Sequence, residues 1–183
     1  MITAGYSLFV TSLKFDFLKV IIDYEHYVPL NVPHDIGISS LEKLQKAFKK
    51  KHYLSGLLLK DVSEFIASED SLARQQILGI LRNVLWKHEF DKRYKAKELI
   101  SAMYFPYVLN IVHSNEHLER LPQAELREWL ICFMYILKNC SRQLVRDWLH
   151  KETSDHRVAL LAVFRQCLEA FGVSSMRWLM YKS

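Results

Sequence analysis

The sequence predicts an all-α protein with about seven to nine helices. Only 5 glycines and 4 prolines occur among its 183 residues, whereas all-β folds need many turns rich in both residue types. Apolar residues recur every three or four positions along most of the chain, which is the spacing of one helix face. No stretch alternates apolar and polar residues in the manner of a half-buried strand.

The first predicted helix covers residues 11–24 and ends at a proline-containing connector near residues 27–38. Pro29 and Pro33 each push the residue before them toward extended backbone, so the helix cannot continue through them. Four apolar residues of this helix fall at helical spacing and are expected to form its apolar face. They are Leu13, Phe17, Val20 and Ile21.

The middle of the chain holds clear start and stop signals for further helices. Ser39 and Glu42 have the spacing of a capping box and predict the start of the second helix. Two apolar stripes follow, at residues 54–66 and 77–85, and the polar residues 68–71 between them end one helix and begin the next. After the second apolar stripe, the polar residues from His88 to Arg93 predict a turn.

A helix over residues 94–113 is predicted to kink or break, because Pro106 lies inside it. Residues 114–120 are predicted to form a loop. Pro122 suits the first turn of the helix after it. The apolar residues of that helix are Leu126, Leu130, Phe133, Met134 and Leu137.

The last two predicted helices begin at caps provided by Ser141 and by one of residues 153–155. Gly172 suits a C-terminal cap, and the tail after it can add one or two further helical turns.

Helix pairs recur at about the 40–47-residue period of armadillo and HEAT units. We therefore predict one helical region over residues 1–183, built as a stack of antiparallel helices. The apolar residues expected on the last helix are Leu160, Leu161, Phe164, Leu168 and Phe171.

Composition and cysteine usage restrict the class of protein. The formal net charge of +5 permits an anionic partner but does not require one. Three cysteines at uneven spacing do not form a disulfide framework and predict free thiols in a reducing, cytoplasmic compartment. The N-terminus lacks the pattern of a signal peptide, and no apolar run is long enough to span a membrane.

The sequence predicts no catalytic residue, no cofactor and no metal site. Glycine-rich phosphate loops do not occur, and His88-Glu89 lacks the second histidine that a zinc motif needs four residues later. A polar helix end is the favoured interpretation of His88. Glu25-His26 has the residue types of a general base, but hydrogen bonding of His26 to the connector backbone is favoured. Cys132 and Cys140 are expected to pack in the core.

A dense basic run is the candidate interaction surface. It comprises Lys43, Lys46, Lys49, Lys50 and Lys51. A second basic group spans residues 87–97, and the two together could bind phosphates if the fold joins them. A solvated helix face remains the favoured alternative.

Five strings in a fixed order resemble the helical middle region of DOCK-family guanine nucleotide exchange factors, nearest the zizimin and Zir subfamilies. The resemblance extends over residues 13–172, with shorter links before residue 52 and between residues 115 and 122 than such family members carry. The strings are LKFDFLKV at 13–20, EHYVPLNVP at 25–33, HYLSGLLLKDV at 52–62, ILRNVLWKHEFDKRY at 80–94 and LICFMYILK at 130–138.

The resemblance implies an armadillo-like scaffold that lies between a membrane-binding region and an exchange region acting on Rac or Cdc42. It also implies that this chain has no catalytic activity and is a fragment, a partial gene model or a truncated isoform of a longer protein. Its helix faces are then expected to contact protein partners and the rest of a DOCK protein, and membranes and GTPases are reached only indirectly. No nucleic acid is expected. The alternative hypothesis is an independent basic helical module that binds nucleic acid or anionic lipid.

Overall fold

The computed structural model describes residues 2–24, 53–90 and 97–180, and within these ranges every regular element is a helix. This confirms the predicted all-α class. The described helices are α1 (Ile2–Asp23), α2 (Tyr53–Phe65), α3 (Ser71–Phe90), α4 (Lys97–Met103), α5 (Phe105–His113), α6 (Asn115–Leu118), α7 (Gln123–Asn139), α8 (Arg142–Lys151) and α9 (Ser154–Met180).

The helices pack as a stack, with α3, α5 and α7 at its centre and each in contact with several other helices. Helix α1 packs on α3, which also contacts α2 and α7. Helix α5 packs between α2 and α7, and α9 covers α5 and α7 from the other side. As a result α1 and α9 lie at opposite ends of the stack.

The centre of the stack is filled by large aromatic side chains from α5 and α7 and from the break before α5. Trp129 and Tyr107 stack with their ring centroids 5.9 Å apart, and the Tyr107 hydroxyl donates to the carbonyl oxygen of Trp129 at 2.8 Å. Phe105 meets Trp148 of α8 edge to face at 5.4 Å. Burial of such rings supplies much of the apolar area that stabilises a domain.

Helix boundaries fall where several of the predicted caps lie. The Asp70 carboxylate accepts from the backbone N–H of Ala73 at 3.0 Å, and Ser141 Oγ accepts from the N–H of Leu144 at 3.2 Å. Thr153 Oγ1 accepts from the N–H of His156 at 3.3 Å and opens α9. Each bond satisfies one backbone donor that a helix start leaves without a partner.

Pro106 and Gly172 lie at a helix break and a helix end, as predicted, and Pro122 lies one position before the helix start rather than in its first turn. The chain breaks between α4 and α5, and Pro106 occupies the first turn of α5, where its missing N–H costs nothing. Pro122 directly precedes α7. Gly172 has a φ of 71°, and a short helical segment follows it. Glycine adopts this left-handed backbone without the steric penalty that a Cβ brings.

Helix α1 corrects the predicted apolar face. It begins at Ile2 rather than near residue 11, and it buries Phe15, Leu18 and Ile22 against α3. Of the predicted face only Ile21 packs against the core, because α1 carries apolar residues on two sides and the periodicity alone does not choose between them. Leu13, Phe17 and Val20 are exposed.

Two predicted turns and part of the α9 face also differ. Helix α3 continues through His88 to Phe90, and residues 114–120 contain the short helix α6 instead of forming only a loop. Helix α9 buries Leu160, Val163 and Cys167, while Leu161 and Leu168 are exposed. The connector at 27–38 and the capping box at Ser39 lie outside the described residues. No described helix is both long and apolar enough to cross a bilayer.

Candidate interaction surfaces

The predicted lysine surface, from Lys43 to Lys51, lies outside the described residues. Of the second basic group the structure describes two members, and both are engaged. Lys87 donates to the carbonyl oxygen of Ile22 and lies 3.5 Å from the Asp23 carboxylate. Lys97 forms an ion pair with Glu89 at 2.8 Å. These two lysines therefore tie neighbouring helices together.

The outer face of α1 forms an apolar surface, which we call the N-terminal stripe. Its members follow helical spacing on the side opposite the buried face, and Phe17 and Val20 are 65% and 71% exposed. A helix with apolar residues on two sides is normally covered by other elements on both of those sides. The N-terminal stripe comprises Phe9, Val10, Leu13, Phe17 and Val20.

The outer face of α9 forms a second apolar surface at the other end of the stack, the C-terminal stripe. Val158, Leu161 and Leu168 lie on it and are exposed. Arg165 stands between them and pairs with Glu169 at 3.7 Å across one helical turn. The stripe is therefore shorter and less purely apolar than the one on α1.

Two polar contacts fix the position of α1 and hence of the N-terminal stripe. Lys14 Nζ lies 2.6 Å from the buried Asp61 carboxylate of α2. Lys87 of α3 donates to the carbonyl oxygen of Ile22 at the C-terminal end of α1, and its positive charge there also complements the helix dipole. The stripe thus belongs to a helix that is anchored to the stack at both its middle and its end.

His88 and the three cysteines prove to be part of the core. His88 is buried, not part of a polar helix end, and its Nε2 lies 3.1 Å from the Tyr104 hydroxyl. That hydroxyl also meets Ser55 Oγ at 3.3 Å. Burial raises the pKa of Cys132, Cys140 and Cys167 to about 12, so these thiols stay protonated at neutral pH and are poor nucleophiles. His26 and Glu25 lie outside the described residues.

Two groupings escaped the sequence analysis. The first is His113, Glu152 and His156, whose ligand atoms lie within 4.8 Å of one another. Its only local signal is the four-residue spacing of Glu152 and His156, which places both on one helix face. Partial desolvation and the neighbouring His156 lower the pKa of His113, which is otherwise exposed. Burial opposes ionisation of Glu152, but hydrogen bonds from His156 and Trp148 outweigh it and lower its pKa.

The second grouping is a basic groove between the end of α7 and α8. Four basic side chains at four-residue spacing line it, and leucine and valine side chains form its floor. Cationic groups around an apolar floor suit an anionic, partly apolar ligand. The basic members are Lys138, Arg142, Arg146 and His150.

The chain is similar to several guanine nucleotide exchange factors and dedicator proteins. Dedicator of cytokinesis protein 9 from Homo sapiens is 34% identical over 105 residues, which cover 51% of this chain and 5% of that protein. Dedicator of cytokinesis protein 11 from Danio rerio is 28% identical over 147 residues, covering 66% and 7%. Guanine nucleotide exchange factor SPIKE 1 from Arabidopsis thaliana is 30% identical over 141 residues, covering 74% and 7%.

The chain therefore spans only 5% to 7% of the length of these relatives. No family model matches it, and no solved structure gives a significant match. The relatives do not separate the zizimin and Zir subfamilies from others, so the subfamily stays a prediction. Taken together, the matches support membership of this chain in the dedicator-of-cytokinesis (DOCK) family.

Proposed function

We propose that this chain is a non-catalytic helical scaffold segment of a DOCK-type exchange factor for Rho-family GTPases, with the exchange region lying elsewhere in the longer protein. The observation that carries the proposal is the pair of apolar stripes at the two ends of the stack. A helical stack that ends in solvent needs polar outer faces on its terminal helices. The outer face of α1 is mainly apolar, and that of α9 exposes Val158, Leu161 and Leu168 beside the Arg165–Glu169 pair.

The stripes fit a segment that continues on both sides into further helices of the same protein. Each helix pair would then bury its outer face against the next pair, as in other helical arrays. The small share of the relatives that the chain covers is consistent with such a segment. In this role the chain sets the distance between other regions, acts in the cytoplasm, and influences a GTPase only through the regions it connects.

The first test is self-association of the chain through the N-terminal stripe. We expect the 183-residue chain to form concentration-dependent oligomers, and the double substitution Phe17→Lys with Val20→Glu to shift it toward monomer. Because both side chains are mostly exposed, the free energy of unfolding should change by less than about 1 kcal/mol. Sedimentation velocity over a concentration series and urea denaturation measure the two quantities.

A matched control adds the same two charges elsewhere. Gln123→Glu with Ala124→Lys changes two exposed positions at the start of α7, away from both stripes. The control should associate like the parent chain. A parent chain that is monomeric at all concentrations, or a control that dissociates as fully as the stripe variant, would count against the proposed role of the stripe.

The second test concerns the exchange reaction. We expect the purified chain to leave the rate of nucleotide release from Rac and Cdc42 unchanged, measured with a fluorescent guanine nucleotide. A full-length DOCK protein serves as the positive control. Exchange stimulated by this chain would refute the non-catalytic part of the proposal while leaving the role of the stripes open.

A further inference from the structure

A compact cluster of possible metal ligands joins three elements near the C-terminal end of the stack. His113 is the last residue of α5, Glu152 follows the last residue of α8, and His156 lies in the first turn of α9. The imidazole rings of His113 and His156 are 4.0 Å apart, centroid to centroid. The Glu152 carboxylate lies 2.5 Å from Nδ1 of His156.

The carboxylate in this cluster is held in place from behind. Trp148 donates its indole N–H to Oε1 of Glu152 at 2.8 Å, which leaves Oε2 directed at His156. Trp148 is itself buried and packs against Phe105 of α5. Outer-shell hydrogen bonds of this kind fix the orientation of ligand side chains in metal sites.

The donor set suits zinc. Imidazole nitrogen and carboxylate oxygen are both common zinc ligands, with bonds of about 2.0–2.2 Å, so ligand atoms in a tetrahedral site lie roughly 3.3 Å apart. The three ligand atoms here lie within 4.8 Å of one another. His113 is exposed and can rotate toward the other two ligands, whereas the 2.5 Å contact between Glu152 and His156 must lengthen to admit the ion. Two histidines and one glutamate form a ligand set that recurs in zinc sites with one water-filled position.

We propose that His113, Glu152 and His156 bind a divalent transition metal ion, with zinc as the preferred ion and water at the fourth position. The ion would link the end of α5 to the junction of α8 and α9 and so stiffen the C-terminal end of the stack. This proposal is independent of the exchange-factor assignment. It needs only the packing of these three helices.

Isothermal titration of the untagged, reduced chain with zinc chloride tests the site. We expect binding of one ion per chain, and a rise in Tm of roughly 5–10 °C at zinc about a hundredfold above Kd. His113→Ala and His156→Ala should each weaken binding by more than about tenfold, because loss of an outer-shell partner alone costs about 10–100-fold. EDTA should reverse the Tm shift.

The matched control is His150→Ala, which removes an exposed histidine from the last turn of α8 without touching the cluster. It should bind zinc like the parent chain. Circular dichroism and the Tm in EDTA establish that all three variants are folded. Cobalt in place of zinc separates this site from the cysteines, because thiolate ligands would add a charge-transfer band that histidine and carboxylate ligands do not give.

The titrations distinguish a metal site from a simple hydrogen-bonded pair. One-to-one binding that both cluster variants lose and His150→Ala keeps, with no thiolate band, supports the site. No binding to the folded parent chain at micromolar zinc overturns it, as does binding that both cluster variants retain or that shows cysteine ligation. In those cases Glu152 and His156 form only a hydrogen-bonded side-chain pair at the start of α9.

Discussion

Replacing Glu125 with leucine should lower the free energy of unfolding by about 3–5 kcal/mol. Glu125 of α7 is buried, and its Oε1 accepts from Nε of Arg74 at 2.5 Å. Arg74 is buried as well, donates a second bond to Oε2 at 3.3 Å, and donates to the carbonyl oxygen of Ser68 before α3. Removing the carboxylate leaves the guanidinium buried without its counter-charge.

A double variant separates the cost of the orphaned charge from the value of the ion pair. Arg74→Met combined with Glu125→Leu removes both charges and keeps similar side-chain volumes. Replacement of a whole buried ion pair by apolar residues is often neutral or stabilising. We therefore expect the double variant to recover most of the stability that Glu125→Leu loses, as measured by urea denaturation followed by circular dichroism.

The control for this prediction is one helical turn away. Glu128 pairs with Arg82 across the same α3–α7 interface, but both side chains are substantially exposed. Glu128→Leu should therefore cost no more than about 1 kcal/mol. Equal losses of stability for Glu125→Leu and Glu128→Leu would show that the Arg74–Glu125 pair is accessible to water and not buried.

The fold class and most helix boundaries could be predicted because the signals for them are local. The stripe at residues 77–85 is buried as its spacing indicates, and the hydroxyls of Ser141 and Thr153 cap the helices that follow them. These features depend on residues three or four apart. A single sequence carries that information in full.

The errors arise where the answer depends on residues distant in the chain. Helix α1 has apolar residues on two sides, and only its contact with α3 decides that Phe15 and Leu18 are buried while Phe17 is exposed. His88 was predicted as part of a polar helix end because its neighbours in sequence are charged. Its partner Tyr104 lies 16 residues away, and Ser55 reaches the same hydroxyl from 49 residues away.

The candidate ligand cluster was missed for the same reason, and the basic groove was missed because it spans the junction of α7 and α8. His113 joins Glu152 and His156 only because α5 and α9 pack together. The basic groove crosses the end of α7, so its four-residue spacing does not belong to one helix. Sequence reasoning that divides the chain at Ser141 therefore assigns its members to separate elements.

Trp129→Ala should lower the free energy of unfolding by about 3–5 kcal/mol, the usual cost of emptying a buried aromatic site. Trp129 is fully buried, and its ring lies nearly parallel to that of Tyr107, with an interplanar angle of 3°. The substitution opens a cavity at the contact between α5 and α7. That contact connects the half of the stack that carries α1 to the half that carries α9.

Trp129→Phe tests whether the loss comes from packing or from a hydrogen bond. Among the described residues the buried indole nitrogen of Trp129 has no hydrogen-bond acceptor, so phenylalanine gives up volume but no polar contact. We expect it to cost only about 1–2 kcal/mol. A phenylalanine variant as unstable as the alanine variant would indicate that the indole N–H makes a bond that the structure does not contain.

Trp86→Ala provides the surface control for the same residue type. Trp86 is 65% exposed on α3, where it packs only against Phe90 among the aromatic residues described. Its removal should change the free energy of unfolding by about 0.5 kcal/mol or less. If Trp86→Ala were instead as damaging as Trp129→Ala, the exposed face of α3 would have to be covered, and the stack would extend sideways as well as from its two ends.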